Sequence, residues 1–536
     1  MNKPTKPIQP ARQPPCGTRA ALAAFGRKPL FWCGLAALLL VGYGYAMATS
    51  AVGIDDLAID TYQQGGEFLR QSRITEWLVQ ALTGLLAYGR VWPECWAAVC
   101  LALAGAGLAA VLYAQAGREP TAAGGLLLAG GLLLFPFHAE ALAYSNLCIT
   151  GLGMLLAVAA LALGRAYLFG QRAPARALGA AACLAFSLGC YESMAQVWLA
   201  LVFALLLTAA AFAPRRSRAA FWWIAPALRG VVLFGVGLAG REILAALLRL
   251  ALGITGESGA AARTIYWGQR GGIASALLIF VREFLGNYGT LALAVPAIAL
   301  LDLACAALVV FVAVRRHGNG NGCGWLAAGL LASQFAMGIL QGTGSQMARA
   351  SQCFAVFVPF VVWLALAVLR PRRWAEAACI AALLGVEALS LNQTFGVDRA
   401  RWAYEKDLLQ DVAAQLDALD PTGEEPVVFT GEITLPDAVT HRLPAGHPAY
   451  KAAWVLSVAL GAPMGDLYPY EEVNESVVNW AQSAFGSHEQ IYLLMEEIGR
   501  PCAVPTDDQQ AAGDALAGEA QAVTRQDGYL LVCFGS

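Results

Sequence analysis

The stretch PLFWCGLAALLLVGYGYAMATSAVGIDDL, residues 29–57, decides what kind of protein this is. Its first part, residues 29–48, carries no charge and as a helix is long enough to cross about 30 Å of hydrocarbon. Two adjacent carboxylates, Asp55 and Asp56, stand just past that boundary. Ionised groups at a bilayer edge are costly to desolvate, so such a doublet more often marks chemistry than packing.

Similar apolar runs recur along the chain. With 58% hydrophobic residues among 536, only 13% charged, and a mean hydropathy of +0.56, the sequence cannot hide its apolar surface in a water-soluble core. Membrane-length segments lie near 29–48, 94–115, 121–137, 145–164, 177–191, 195–213, 221–240, 290–314, 324–341, 353–369 and 375–391, about eleven in all. Lys3, Lys6, Arg12, Arg19, Arg27 and Lys28 hold the N-terminus in the cytoplasm by the positive-inside rule. The inner connections then contain Arg118, Arg165, Arg172, Arg176, Arg315, Arg316 and Arg370, whereas the outer turns at 138–144 and 191–194 contain no Lys or Arg. Eleven crossings from an inner start put residues 392–536 outside. Ala46 and Ala48 before Thr49 imitate a signal-peptidase site, but the segment is long for a signal core and is read as an anchor.

Charge is distributed unevenly. From Asp398 onward there are 22 acidic and 7 basic residues, against 15 and 28 before it, so an acidic tail follows a basic membrane body. The 13 cysteines show no metal-ligand spacing, and most lie in apolar segments as small hydrophobes. Cys502 and Cys533, in the polar tail, are the two placed to bridge outside the cell, a weak signal by itself. No HExxH, DxD or paired-His spacing appears; no metal, no other cofactor and no nucleic-acid partner is expected.

Two outer loops are large. The first, 49–93, holds Asp55, Asp56, Asp60, Glu67, Arg70, Arg73 and Glu76, followed by the apolar stretch Trp77–Tyr88, which suits a helix lying in the interface. The second, 241–289, mixes Arg241, Glu242 and Arg249 with apolar residues at helical spacing and reads as surface helix as well. In the tail, 398–419, 448–460 and 487–498 look helical, and Val427–Phe429 and Tyr529–Phe534 look like strands.

The order of local motifs carries a resemblance. Gly53-Ile54-Asp55-Asp56-Leu57 is followed by Phe135-Pro136-Phe137-His138-Ala139-Glu140 and Tyr144-Ser145. Ser187-Leu188-Gly189-Cys190-Tyr191-Glu192 comes next, then Arg349 ahead of an apolar span, and finally Asp398–Leu419 leading into Pro426-Val427-Val428. The pattern resembles the GT-C class of membrane glycosyltransferases and, more narrowly, is similar to the Gtr-type glucosyltransferases that decorate O-antigen. Ile59 stands where that family commonly has Arg, and Glu192 where it often has Gln. The resemblance implies an all-α polytopic membrane bundle of about 11 transmembrane helices, GT-C-like, with interfacial helices in the outer loops, plus a small C-terminal α/β extracytoplasmic domain. The expected divisions are a cytoplasmic basic tail, 1–28, a transmembrane catalytic domain, 29–391, and the extracytoplasmic domain, 392–536. A multi-pass protein of the cell (inner) membrane follows, with the lipid bilayer, a polyprenyl-phosphate sugar donor and a polysaccharide acceptor, O-antigen or wall polymer, as partners.

Transfer from such a donor needs a base to deprotonate the acceptor hydroxyl and positive charge to stabilise the departing phosphate. Asp55 or Asp56 is the expected base, Asp56 favoured by resemblance; the competing reading is a helix cap satisfying free N–H groups. Arg349 is the first candidate for the phosphate and a lipid-anchoring, snorkelling arginine is its alternative. Arg73 and Arg70 are second candidates, with Glu67 or Glu76 as ordinary salt-bridge partners at helical spacing. Glu192, Tyr191, His138 and Glu140, at the outer ends of two spans, would line a sugar-binding cleft if those ends converge on the first loop; interfacial placement of polar and aromatic residues is the bland alternative. Glu387 and Asp302, inside spans, read as polar contacts of the bundle. A transporter or flippase of lipid-linked sugars is the competing function, but transporters usually place charge near the midplane and show repeated halves, whereas here the charge gathers in outer loops and no repeat is found.

Overall fold

A computed structural model of the chain describes residues 17–49, 51, 59–85, 91–212, 221–256, 296–317, 322–341, 350–431, 436, 488–516, 518 and 522–534. Asp55, Asp56, Arg349, residues 257–289 of the second outer loop, the first residues, 290–295, of the expected span 290–314, and the expected helix at 448–460 lie outside these described residues.

Helices dominate. Six of them are long and apolar enough to cross a membrane: α2 (Pro29–Ala48), α6 (Val91–Ala116), Asn146–Leu168, whose α-helical part is α9 (Ile149–Leu168), α11 (Met194–Phe212), α12 (Ile224–Leu252) and α17 (Arg373–Leu419). Four more apolar helices are shorter, α7 (Ala122–Leu134), α10 (Pro174–Leu188), α14 (Cys323–Ser333) and α16 (Phe354–Leu369). By length and composition this is a membrane protein, with six such helices among the described residues. The remaining helices are α13 (Pro296–His317), of 22 residues, and the short α1 (Thr18–Gly26), α3 (Ile59–Gln64), α4 (Glu67–Arg70), α5 (Ile74–Thr83), α8 (His138–Leu142) and α15 (Ala336–Gln341).

Local chemistry sets the ends. The Thr121 hydroxyl accepts from Gly124 N at 3.2 Å and starts α7; Pro136 forces Phe135 into extended backbone and stops it. Gly170, at φ +83°, closes α9, and Pro174 opens α10. α11 is the central helix, 83% of its span window buried, whereas α12 is peripheral at 17%. Glycine permits the closest approaches. A Cβ on Gly105 of α6 would lie 2.7 Å from Ala129 Cα on α7, and one on Gly151 of α9 would lie 2.6 Å from Ala97 O on α6.

Two boundaries differ from the sequence reading. α12 runs through to Leu252, about 44 Å, so Arg241, Glu242 and Arg249 extend the spanning helix instead of forming a separate surface helix. The polar residues are tolerated because Arg241 bonds Glu242 and Leu188 O within the packed face. α17 is one helix of 47 residues, joining the last apolar segment to the tail without the break expected near 392. Asn392 Nδ2 donates to Ala388 O at 2.8 Å and to Val41 O at 2.9 Å, and Thr394 to Ser390 O at 3.0 Å, so the polar stretch is satisfied as helix.

In the tail, β1 (Val427–Thr430) pairs in parallel with β3 (Tyr529–Cys533), and the unexpected β2 (Ala522–Gln526) pairs antiparallel with β3, giving the order β1-β3-β2. Helices α18 (His488–Glu497) and α19 (Asp507–Asp514) flank the sheet, α19 starting with a Thr506–Gln509 capping box. Leu409, Val412 and Leu416 of α17 share one apolar cluster with Val427, Phe429, Leu530 and Val532. Cys502 and Cys533 are both free thiols.

Candidate functional site

The first outer loop is folded back on the bundle. Between α4 and α5 the chain reverses through Ser72, which holds a left-handed φ of +59°, and the Ser72 hydroxyl donates to Glu242 Oε2 at 2.7 Å. Thr75 then stitches α5 to the α10–α11 turn, its N–H donating to Gly189 O at 3.0 Å and its hydroxyl to Phe186 O at 2.6 Å. This docking fixes Arg73. Its Nε and Nη2 both lie 3.4 Å from the two oxygens of Glu192, its Nη1 lies 3.6 Å from Glu76, and its guanidinium carbon lies 4.9 Å from the Tyr191 ring centroid. Burial works against the charge, but Glu192 and Glu76 outweigh it and hold the guanidinium above its ordinary value. Arg73 is a permanent cation, and Glu192 and Tyr191 stay partly exposed beside it.

Arg70 behaves differently. It pairs with Glu67 at 3.4 Å and donates from Nε to Thr255 O at 3.2 Å, tying α4 to the end of α12. Both ordinary i, i+3 partnerships foreseen from spacing, Arg70 with Glu67 and Arg73 with Glu76, are present.

His138 and Glu140 are buried on α8, the short helix that follows Pro136. His138 Nε2 lies 2.9 Å from Leu132 O; burial pushes the imidazole down to about 4, against the opposing effect of that bond, so the ring is neutral at physiological pH. α8 packs against α17, and Phe137 meets Phe354 edge-on at 5.7 Å, which links this turn to the start of α16.

The sequence reading missed an ion network on α17. Arg399 Nη2 lies 2.6 Å from Glu94 Oε1 at the start of α6, and Arg399 Nη1 lies 2.7 Å from Asp398; Arg401 contacts Asp398 at 3.0 Å and Glu405 at 2.6 Å. All five are buried. Arg399 also donates to Thr49 O at 3.1 Å and Ala46 O at 3.3 Å, gripping the end of α2 where the first outer loop begins. Sequence offered one signal, two arginines among acids in the stretch Asp398–Leu419, where Arg401 finds Asp398 and Glu405 at helical spacing, but the pairing of Arg399 with Glu94, 305 positions away, left no local pattern.

The flanks of the undescribed candidates are well placed. Ala51 is buried in the cluster that contains Trp402, and Ile59 is buried at the start of α3. Ala350, next to Arg349, accepts from the Gln196 side chain at 3.1 Å in the amide orientation that satisfies both groups of Gln196, one turn beyond Glu192. Arg73, Tyr191 and Glu192 are therefore brought together, and the neighbour of Arg349 lies one helical turn further along α11. His138 and Glu140 belong to an adjoining turn, and Arg70 points to α12. Among the described residues no cluster of three or more His, Cys, Asp or Glu has the arrangement to hold a metal ion.

Comparison with known families places a match on this same region: the model described as Glucosyl transferase GtrII covers residues 44–367, from the last turn of α2 to the end of α16. Neither the curated proteins nor the solved structures give a match.

Proposed function

The chain belongs to the GtrII glucosyltransferase family, and from that premise we propose that it moves glucose from a polyprenyl-phosphate carrier to a surface polysaccharide on the outer face of the cell membrane. Glucosyl transfer and a membrane-embedded chain follow from the family and the helices. The lipid-phosphate donor, the O-antigen or wall-polymer acceptor and the GT-C-like architecture with about eleven spans are our reading. So are the outward orientation of the tail, the cytoplasmic location of 1–28, and the division into a catalytic body, 29–391, and an outer domain, 392–536.

The observation that carries it is the meeting of Arg73 with Glu192 and Tyr191, residues 119 and 118 positions away, on the loop that also bears the aspartate pair. In the proposed reaction Asp56, or Asp55, takes the proton of the acceptor hydroxyl as it attacks the anomeric carbon; the C–O bond to phosphate breaks, and the phosphate leaves as an anion. A leaving phosphate needs no general acid, so one carboxylate and fixed cations suffice. Arg349 and Arg73 supply the positive charge, with Arg70 outside it, Glu192 and Tyr191 bind the sugar, and His138 and Glu140 shape the adjoining wall.

Transfer of labelled glucose from polyprenyl-phosphate glucose in membranes tests the proposal, comparing wild type with Asp55→Asn and Asp56→Asn at matched expression. A loss of about 10²-fold or more in at least one variant is expected. Full transfer in both would remove the aspartate assignment, and no transfer from this donor by wild type would remove the donor.

A further inference from the structure

At the other end of the bundle, where α1, α9, α10 and α12 converge, lies a cavity of about 1080 Å³. Four arginines line it, Arg19 from α1, Arg165 from α9, Arg176 from α10 and Arg229 from α12, and no carboxylate is among the described residues that line it. A second concavity of about 650 Å³ adjoins it through the shared Gln171 and Arg229 and runs along the groove between α10 and α12. Its walls are mostly apolar, with Leu178, Val232 and Val236 well exposed.

Arginines at span ends commonly snorkel singly into headgroups. These are arranged otherwise. Arg165 Nη1 is held by Gln115 Oε1 at 3.4 Å and Arg229 Nη1 by Leu168 O at 3.0 Å, so two of the guanidinium groups are fixed by neutral acceptors and keep their charge uncancelled. Gly170, at φ +83°, admits the Arg229 guanidinium to 3.1 Å of where a Cβ would stand, and Trp222 stacks on Phe169 with centroids 6.4 Å apart beside it. Four like charges from four helices meeting in one recess repel one another unless an anion enters. A charged compartment continuous with a greasy groove has the two-part chemistry of a lipid, not of a free anion.

We propose that this paired recess binds an anionic phospholipid, its phosphate on Arg165 and Arg229 with Arg19 and Arg176 at the rim, and an acyl chain in the α10–α12 groove. By the charge distribution of the sequence this is the cytoplasmic leaflet, opposite to the transfer site, so the lipid is a structural ligand distinct from donor and acceptor.

The test uses the full chain purified in neutral detergent and reads the thermal unfolding midpoint with added phosphatidylglycerol, phosphatidylcholine of the same chains, or inorganic phosphate. Phosphatidylglycerol is expected to raise the midpoint by about 3–5 °C at saturation, and the other two by less than about 1 °C. Arg19→Gln/Arg176→Gln, two exposed positions whose loss leaves the packing intact, is expected to weaken the response at least three-fold, and Arg165→Gln/Arg229→Gln to abolish it. Arg315→Gln/Arg316→Gln, which removes equal charge outside the recess, is expected to keep it. An equal shift from phosphatidylcholine, the full shift from phosphate alone, or an unchanged response in both recess variants would overturn the proposal.

Discussion

Arg399 Nη2 lies 2.6 Å from Glu94 Oε1, a buried contact between residues 305 positions apart that pins the start of α6 to the C-terminal half of α17. The same guanidinium holds Asp398 and the carbonyls of Ala46 and Thr49, so one side chain joins three helices around the root of the first outer loop. The tail helix thereby becomes part of the frame of the site. Through Leu409, Val412 and Leu416 it also carries the core of the terminal sheet, so membrane body and tail share one rigid strut.

Breaking that contact should be expensive. Glu94→Gln leaves a buried cation short of a partner, and the usual cost of removing one member of a buried pair is about 3–5 kcal/mol. Thermal unfolding in detergent should show a large drop for Glu94→Gln and for Arg399→Gln, and the double variant should lose clearly less than the sum of the two. Single variants that unfold with wild type would mean that the network contributes nothing to the frame.

Arg73 offers a prediction on activity. Its bidentate approach to Glu192 and its position over Tyr191 need a planar fork, which lysine lacks. Arg73→Lys and Arg73→Gln should both lower glucosyl transfer by ten-fold or more, on about a 1.4 kcal/mol scale per decade, while Arg70→Gln should change it by less than three-fold. A Lys variant with wild-type kcat/KM would reduce Arg73 to a point charge.

His138 gives a stability test with a definite sign. Its folded value, about 4, lies below the ordinary value of 6.5, so between those limits the unfolded chain binds more protons than the folded one. The stability from keeping the ring neutral is full above pH 6.5 and is lost as pH falls toward 4, a total of about 3 kcal/mol. The unfolding midpoint of wild type should therefore fall more steeply from pH 7 to pH 5 than that of His138→Gln. Parallel curves would show that burial does not perturb this ring.

Much of the architecture was legible, and the exceptions share a cause. Apolar runs located the helices, and the short unbroken apolar runs Val427–Phe429 and Tyr529–Phe534 located two of three strands. β2 escaped because Ala522–Gln526 is an edge strand, largely exposed, with no apolar stripe to betray it. The continuity of α17 escaped because the last apolar segment ends near 391, whereas Asn392 and Thr394 bond backbone carbonyls one turn earlier and carry the helix on. At the site, Tyr191, Glu192 and Arg73 stood out as polar residues where apolar ones are the rule, and the structure joins them. Glu94 and Arg399 did not, because long-range pairing has no sequence period.

Gly105 and Gly151 test the bundle itself. Each faces backbone and not a movable side chain, so Gly105→Ala and Gly151→Ala must separate α6 from α7 or from α9 by several tenths of an ångström. Losses of about 1–3 kcal/mol and reduced yield of folded protein in membranes are expected. Gly44→Ala on α2 meets nothing within 4 Å and should gain slightly from helix propensity. Comparable yields for all three would mean that the helices are not packed at these distances.

Glu387 separates transferase from transporter. It is buried in the apolar part of α17, its carboxyl oxygens have no hydrogen-bond partner among the described residues, and its Oε2 lies 3.5 Å from where a Cβ on Gly131 would stand. In a transporter of lipid-linked sugars an intramembrane carboxyl of this kind is the natural ion-coupling group, and its removal stops turnover. In a glucosyltransferase whose chemistry sits at the outer ends of the helices it is a packing residue. Glu387→Gln keeps the shape and removes the ionisable group, so transfer of labelled glucose should stay within about two-fold of wild type while Arg73→Gln in the same membranes falls ten-fold. The opposite ranking, activity lost with Glu387→Gln and retained with Arg73→Gln, would move the working centre from the loop to the bundle interior and favour transport.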